Sequence, residues 1–308
     1  MSTELMSNGY QLGPFQVFPI RLTNPSAHIY STPPFKYGIE VAEVDLGDGP
    51  QVEMIQVLNK SHKDFLIPAG WVTGANLLQV RTFVDSVYVA AHQSVYASVS
   101  CVEQGRWGHG TNALDGGRAP LTVHSAGWEY IPGRNPWRLS HAERQVKVWE
   151  QVQRQESRTG MRPTHNLSQV MAEDALGVDE ISRIRTEVTR NYQHLPNQHG
   201  AVVTFGGEPL FMETYSDPDA AKRVIKATLN SLAFDTHSSY FVETSPEIAS
   251  SFINEIQEIR LEHLSEHDWA ILLSGGNGRM HTRASIAIDG RELHSLTINK
   301  SHRLLQGV

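Results

Sequence analysis

From Phe15 to Cys101 short strand candidates follow one another between turn residues, and in several of them the apolar residues return at every second position. No other feature narrows the fold as much, because a period of two belongs to strands with one buried face and not to a helical stripe. Phe15–Leu22 is the first run. After the Pro33-Pro34 link comes 37–46, with Ile39, Val41 and Val44, and Gly47-Asp48-Gly49 turns the chain into 52–58. Asn59-Lys60-Ser61-His62-Lys63 is a further turn before 65–67. Leu78, Val80, Thr82 and Val84 alternate, as do Val87 and Val89, and Val95, Ala97, Val99 and Cys101 close the set. Many short strands between frequent turns predict an antiparallel β unit, a sandwich or a rolled sheet.

The pattern then changes. Residues 108–138 are rich in Gly, Pro, Asn and Arg, with Trp128, Tyr130 and Trp137 interleaved, which reads as an ordered functional loop. Ser140-His141-Ala142-Glu143 is a capping box that opens a helix, and Gly160 ends it. Ala142, Val146, Trp149 and Val152 or Gln153 are its expected stripe. A short helix is expected around 168–176. Ile181, Ile184, Val188, Tyr192 and Leu195 form a second stripe, which Pro196 stops. Strands at 201–205 and 210–214 flank Gly206-Gly207, a tight hairpin signal. Helices start at Pro218 and Pro246, and strands at 269–273, 282–288 and 293–298 finish the chain. The expected class is α+β: an N-terminal antiparallel β unit, a glycine-rich loop, a helical middle, and C-terminal helices packed on antiparallel strands. The expected domains are a flexible tail at 1–14, the β unit at 15–138 and an α+β unit at 139–308, free to pack as one.

Composition excludes several classes. A net charge of −7 with no run of Lys or Arg speaks against a nucleic-acid surface. One cysteine, Cys101, rules out an internal disulfide and fits a reducing cytoplasm. The first residues carry neither a basic nor an apolar signal region, and no apolar run is long enough to span a bilayer, so no membrane partner is expected. Fifteen histidines invite metal hypotheses. His263-Leu264-Ser265-Glu266-His267 fits H-x-x-E-H, yet the only glutamate after it is Glu292, on an expected strand. The pattern reads as an exposed polar helix end, and no metal ligands are assigned. Gly275-Gly276-Asn277-Gly278-Arg279 is followed by a strand, so it reads as a β-turn rather than a phosphate loop. Cys101 falls with the buried side of its strand and reads as a packing residue.

The chemistry concentrates where the last alternating run stops. Ser100-Cys101-Val102-Glu103-Gln104-Gly105-Arg106-Trp107 places a carboxylate, an amide, a glycine, a guanidinium and an indole together. Two readings stand at this point. One is a strand-end turn in which Glu103 and Arg106 pair with each other or with neighbours and Trp107 fills a gap. The other is a binding site. Asp85, Glu103 and Glu129 are candidate carboxylates for acid–base work.

This octet resembles the signature of the ARG and Rhodanese-Phosphatase-superfamily-associated protein domain family, where ARG stands for ADP-ribosylglycohydrolase. Gly74-Ala75, Arg81, the helix with Gln145, Val148 and Trp149, and Gln198 with Gly200 before a hairpin are similar too, from about Phe15 to Asn299. The resemblance implies chemistry on ADP-ribose, an NAD-derived nucleotide or a ribose phosphate, with hydrolysis as the expected reaction type. In that reading Glu103 and Gln104 are catalytic, and Arg106, Trp107, Arg81 and Gln198 bind the ligand. Arginine grips phosphate, tryptophan stacks on a base and glutamate accepts from ribose hydroxyls. No cofactor is named. The alternative is a non-enzymatic interaction or homo-oligomerisation module that docks through the aromatic loop at 108–138, with Trp128 and Trp137 as anchors.

Overall fold

The computed structural model describes residues 3–34, 38–45, 47, 49–74, 77–104, 117–128, 139–160, 164–172, 179–236, 240–267, 270–277 and 281–306. They form an α+β fold of two compact units. A terminal unit contains Met1–Ile29 and Glu180–Val308, and a central unit contains Tyr30–Trp128 and Arg138–Asp179. The chain begins with β1 (Thr3–Leu5), β2 (Tyr10–Leu12) and β3 (Phe15–Leu22). The sequence groups β3 with the strands that follow it. Hydrogen bonding instead sets it against a strand from the other end of the chain, Ile20 opposite Gly200 and Phe15 opposite Phe205.

The central unit continues with β4 (Tyr30–Ser31), β5 (Ile39–Asp45), β6 (Pro50–Asn59), β7 (Asp64–Ile67), β8 (Val72–Thr73), β9 (Arg81–Phe83), β10 (Val87–Val89) and β11 (Ser94–Cys101). Five of these form an antiparallel sheet in the order β5-β6-β11-β9-β8, and β10-β7-β4 form a smaller one with a parallel β4–β7 pair. In β11 the expected alternation is present: Val95, Ala97 and Val99 are buried, and Ser94, Tyr96 and Ser98 are exposed. Next come α1 (Leu121–His124), α2 (His141–Thr159) and α3 (Leu167–Met171). Ser140 and Glu143 close the capping box on α2, and Gly160 ends it in the left-handed conformation with φ 66°.

Two sequence expectations change here. Val146 is 53% exposed, and the buried face of α2 is instead Arg144, Gln145, Val148, Val152, Gln155, Glu156 and Thr159. Hydrophobic periodicity missed that face because polar side chains make up most of it. Trp128, named as a docking anchor, is 3% exposed, donates Nε1–H to the Val84 carbonyl at 3.1 Å and meets His124 edge-on. It is a core residue of the central unit, while Trp137 lies outside the described residues.

The terminal unit resumes with α4 (Asp179–Asn191), β12 (Gly200–Phe205), β13 (Glu208–Tyr215), α5 (Pro218–Leu232), α6 (Pro246–Gln257), β14 (Glu262–His267), β15 (Ala270–Gly276), β16 (His281–Ile288), β17 (Arg291–Asn299) and α7 (Arg303–Gln306). Among the described residues, nine strands make one sheet in the order β1-β3-β12-β13-β17-β16-β15-β14, with β2 paired to β3. Phe18, Ile20, Val202 and Met212 pack with Ala249, Phe252, Ile253 and Ile256 of α6. The neighbouring Glu213 projects to the opposite face, because strand side chains alternate. There Glu213 accepts from Thr228 of α5, from Tyr215 and from His294, so the two helices cover opposite faces of the sheet. His263 and Glu266 lie on β14, an edge strand with a bulge, and not on a helix end. A polar edge strand discourages pairing with another chain. No helix among the described residues is long and apolar enough to cross a membrane.

Candidate functional site

The alternation of β11 stops at Ser100, and α2 explains why. Cys101 continues the buried side, and Ser100 is buried too because this helix covers the face that is open earlier in the strand. Arg144 Nε donates to Ser100 Oγ at 3.2 Å. The Gln145 carboxamide behaves like a neighbouring strand: Oε1 accepts from Cys101 N at 2.8 Å, and Nε2 donates to Cys101 O at 2.7 Å. Cys101 Sγ donates to Gln79 Oε1 at 3.0 Å. Burial pushes its thiol pKa up, with Arg81 opposing and Glu43 and Glu103 adding to the rise, so the group is a neutral thiol and a poor nucleophile.

Arg81 sits opposite Cys101 in register, and its side chain is 0% exposed. One Nη donates to the Gln51 and Val52 carbonyls, and the other donates to both Glu43 oxygens, at 3.1 and 2.8 Å. The guanidinium therefore ties β5, β6 and β9 together. It differs from the ligand-facing arginine expected from sequence: both Nη atoms are engaged within the unit.

Beyond Cys101 the chain acquires new backbone partners. Val102 N donates to Val80 O, Leu167 N donates to Val102 O, and Gln104 N donates to His165 O at 2.7 Å. Glu103 is 5% exposed and pairs with Asn166 in an isolated antiparallel bridge. Its Oε2 accepts from Val80 N at 3.0 Å and its Oε1 from Asn166 Nδ2 at 2.9 Å. Gln104 is exposed. Gly105, Arg106 and Trp107 lie outside the described residues, as do Glu129 and Arg279.

The segment that receives this strand end is held by a buried acid. Glu156 of α2 is 2% exposed, and its Oε1 accepts from Thr164 N, Thr164 Oγ1 and Asn166 N at 2.9, 3.0 and 3.3 Å. Asn166 caps α3 through Ser168 N. Between them His165 adopts φ +53°, a backbone region that costs a non-glycine residue free energy and is found mostly where surrounding structure enforces it. Its side chain is 43% exposed, and its Nδ1 lies 3.9 Å from Glu156 Oε2. Among the described residues neither of those two atoms has a hydrogen-bond partner. A half-exposed imidazole thus stands in front of a buried carboxylate. At 3.9 Å the two atoms are not hydrogen-bonded, and catalytic contacts of this kind often close only when a ligand binds.

Of the residues singled out in the sequence, the fold brings Glu103, Gln104 and Arg81 to this strand end. Gln198 belongs to the terminal unit, is 0% exposed, and closes its own turn by accepting from Leu195 N and donating to Gly200 O. Glu156, His165 and Asn166 escaped the sequence reading. Their one signal is Glu156 sharing a helical face with Gln145, Val148 and Val152. His263 and Glu266 are exposed and 3.8 Å apart. Among the described residues no group of three or more His, Cys, Asp or Glu side chains is placed to hold a metal ion.

These features define an α+β protein with a polar cluster at the end of a central strand, built from that strand, a helix and the loop that joins the helix to the next. The chain belongs to the family of the ARG and Rhodanese-Phosphatase-superfamily-associated Protein domain, which it matches over residues 5–297. No curated protein and no solved structure matches it.

Proposed function

We propose that this chain binds an ADP-ribose- or NAD-derived nucleotide, or a ribose phosphate, at the end of β11 and hydrolyses a ribose-linked bond in it. The observation that carries the reading is His165: a half-exposed imidazole in a strained backbone conformation, with a buried carboxylate behind it and the Glu103-Gln104 strand end beside it. In this mechanism Glu156 Oε2 accepts Nδ1–H and holds the tautomer in which Nε2 is the base. Nε2 takes a proton from water, the water oxygen bonds to the substrate as the leaving group departs, and the proton passes to that group. Glu103 and Arg81 are positioning residues that fix the strand end. Gln104, Arg106 and Trp107 are the proposed ligand contacts, with amide, guanidinium and indole chemistry suited to ribose, phosphate and base. The family description supports the ligand class through its ARG, read as ADP-ribosylglycohydrolase.

The test is a thermal-shift and turnover panel with ADP-ribose, NAD and ribose 5-phosphate on the wild type and His165→Asn. Asparagine tolerates the left-handed backbone at that position. Stabilisation by one ligand, with turnover reduced at least about 100-fold and KM little changed in the variant, is the expected result. No stabilisation by any of the three at millimolar concentration rejects the ligand class. Turnover that survives the substitution rejects the site.

A further inference from the structure

A second cluster lies elsewhere in the central unit, where the turns β6–β7 and β10–β11 meet. His62 and His92 are thirty positions apart in sequence, yet His92 Nε2 and His62 Nδ1 are 2.9 Å apart, and the rings meet edge-on with centroids at 4.6 Å. Both residues are exposed. The two turns are tied to each other independently of the rings. Asn59 N donates to Gln93 O, and Asn59 Nδ2 donates to both Lys63 O and Val89 O. Asn59 Oδ1 accepts from Ser61 N and Ser61 Oγ. Asp64 Oδ1 accepts from Ala91 N at 2.8 Å, and β7 pairs with β10 along Phe65–Val89. His92 itself is held at φ +61°, a conformation uncommon for histidine. The surrounding hydrogen bonds fix the two turn backbones that carry the imidazoles, which lowers the ordering cost of chelation.

Two imidazole nitrogens this close can both reach one ion. Two imidazole nitrogens at right angles on one ion, each about 2.0–2.1 Å from it, lie about 2.9 Å apart, whereas on a tetrahedral ion they lie about 3.3 Å apart. At 2.9 Å the two nitrogens share one proton in an N–H···N hydrogen bond, and an ion that displaces this proton finds them already close to the right-angled spacing. We propose that His62 and His92 form a two-imidazole clamp for a divalent transition-metal ion of square or octahedral coordination, Cu2+ or Ni2+, with solvent completing the shell. Imidazole suits both ions. The site lies apart from the strand-end residues discussed above and does not depend on the reading given to them.

The experiment titrates CuSO4 into the intact wild-type chain and into His62→Asn, His92→Asn and the double variant, at a pH where imidazole is neutral, with calorimetry and electron paramagnetic resonance. Asparagine is used because it accepts the backbone of His92, and His62→Asn changes only an exposed turn residue. The expected result is a tight equivalent of Cu2+ whose spectrum carries two nitrogen ligands, reduced to one nitrogen and weakened at least about tenfold in either single variant. A two-nitrogen spectrum that persists in the double variant places the copper at other histidines and overturns the proposal. So does calorimetric binding that is the same in all four proteins.

Discussion

At the scale of single residues, burial acts on the protonation of four histidines. His302 donates Nε2–H to the Phe205 carbonyl at 3.0 Å and accepts from Leu304 N at Nδ1, so both ring nitrogens are occupied in one neutral tautomer. Burial pushes its pKa below the ordinary value, as it does for His141, His194 and His199. The sign follows from which state takes up the proton first. As pH falls past the unfolded value near ~6.5, the unfolded chain is protonated while the folded one resists, so stability is complete above that value and is lost below it. The urea midpoint should fall between about pH 7 and pH 5, and His302→Gln should flatten that slope in part. A midpoint that rises on acidification contradicts the assignment. No residue pattern announces this histidine, nor His165, because the features that matter are tertiary: a carbonyl from β12 for one, a carboxylate nine positions earlier for the other.

At the scale of elements, the joint between α2 and β11 decides whether the strand end keeps its shape. Gln145 satisfies both the N–H and the C=O of Cys101, which are buried. Gln145→Ala leaves a donor and an acceptor without partners inside the protein, at about 1–3 kcal/mol each. We expect a loss of about 2–4 kcal/mol by denaturant unfolding, against less than about 0.5 kcal/mol for the exposed neighbour Val146→Ala. Equal effects at the two positions would show that the helix face has been assigned wrongly. The capping box, the Gly160 terminus and the Gly206-Gly207 hairpin were legible in the sequence because each is a local rule about one turn of backbone. The face of α2 was not. A polar side chain carries no mark of burial until the backbone groups it serves are known. The strand fate of 263–267 was hidden for a related reason, since edge strands are often polar and resemble exposed helix ends.

At the scale of the whole molecule, the chain order and the sheet order disagree. An apolar run located β3 correctly, but such a run carries no information on partners, and the sheet joins β3 to β12, which follows it in sequence only after the whole central unit. A fragment of residues 139–308 therefore lacks the strand that covers the β12 edge. It should aggregate or remain unfolded, whereas addition of a peptide spanning residues 1–29 should restore solubility in part, as read by light scattering. A soluble, cooperatively melting 139–308 fragment would contradict the pairing. Ile20 faces Gly200, 180 positions later. At about 5–20 residues per second of synthesis, the ribosome needs about 10–40 s to deliver the partner of a segment it made near the start. During that interval Phe15, Phe18 and Ile20, all sealed in the finished protein, are open to chaperones and proteases on the nascent chain.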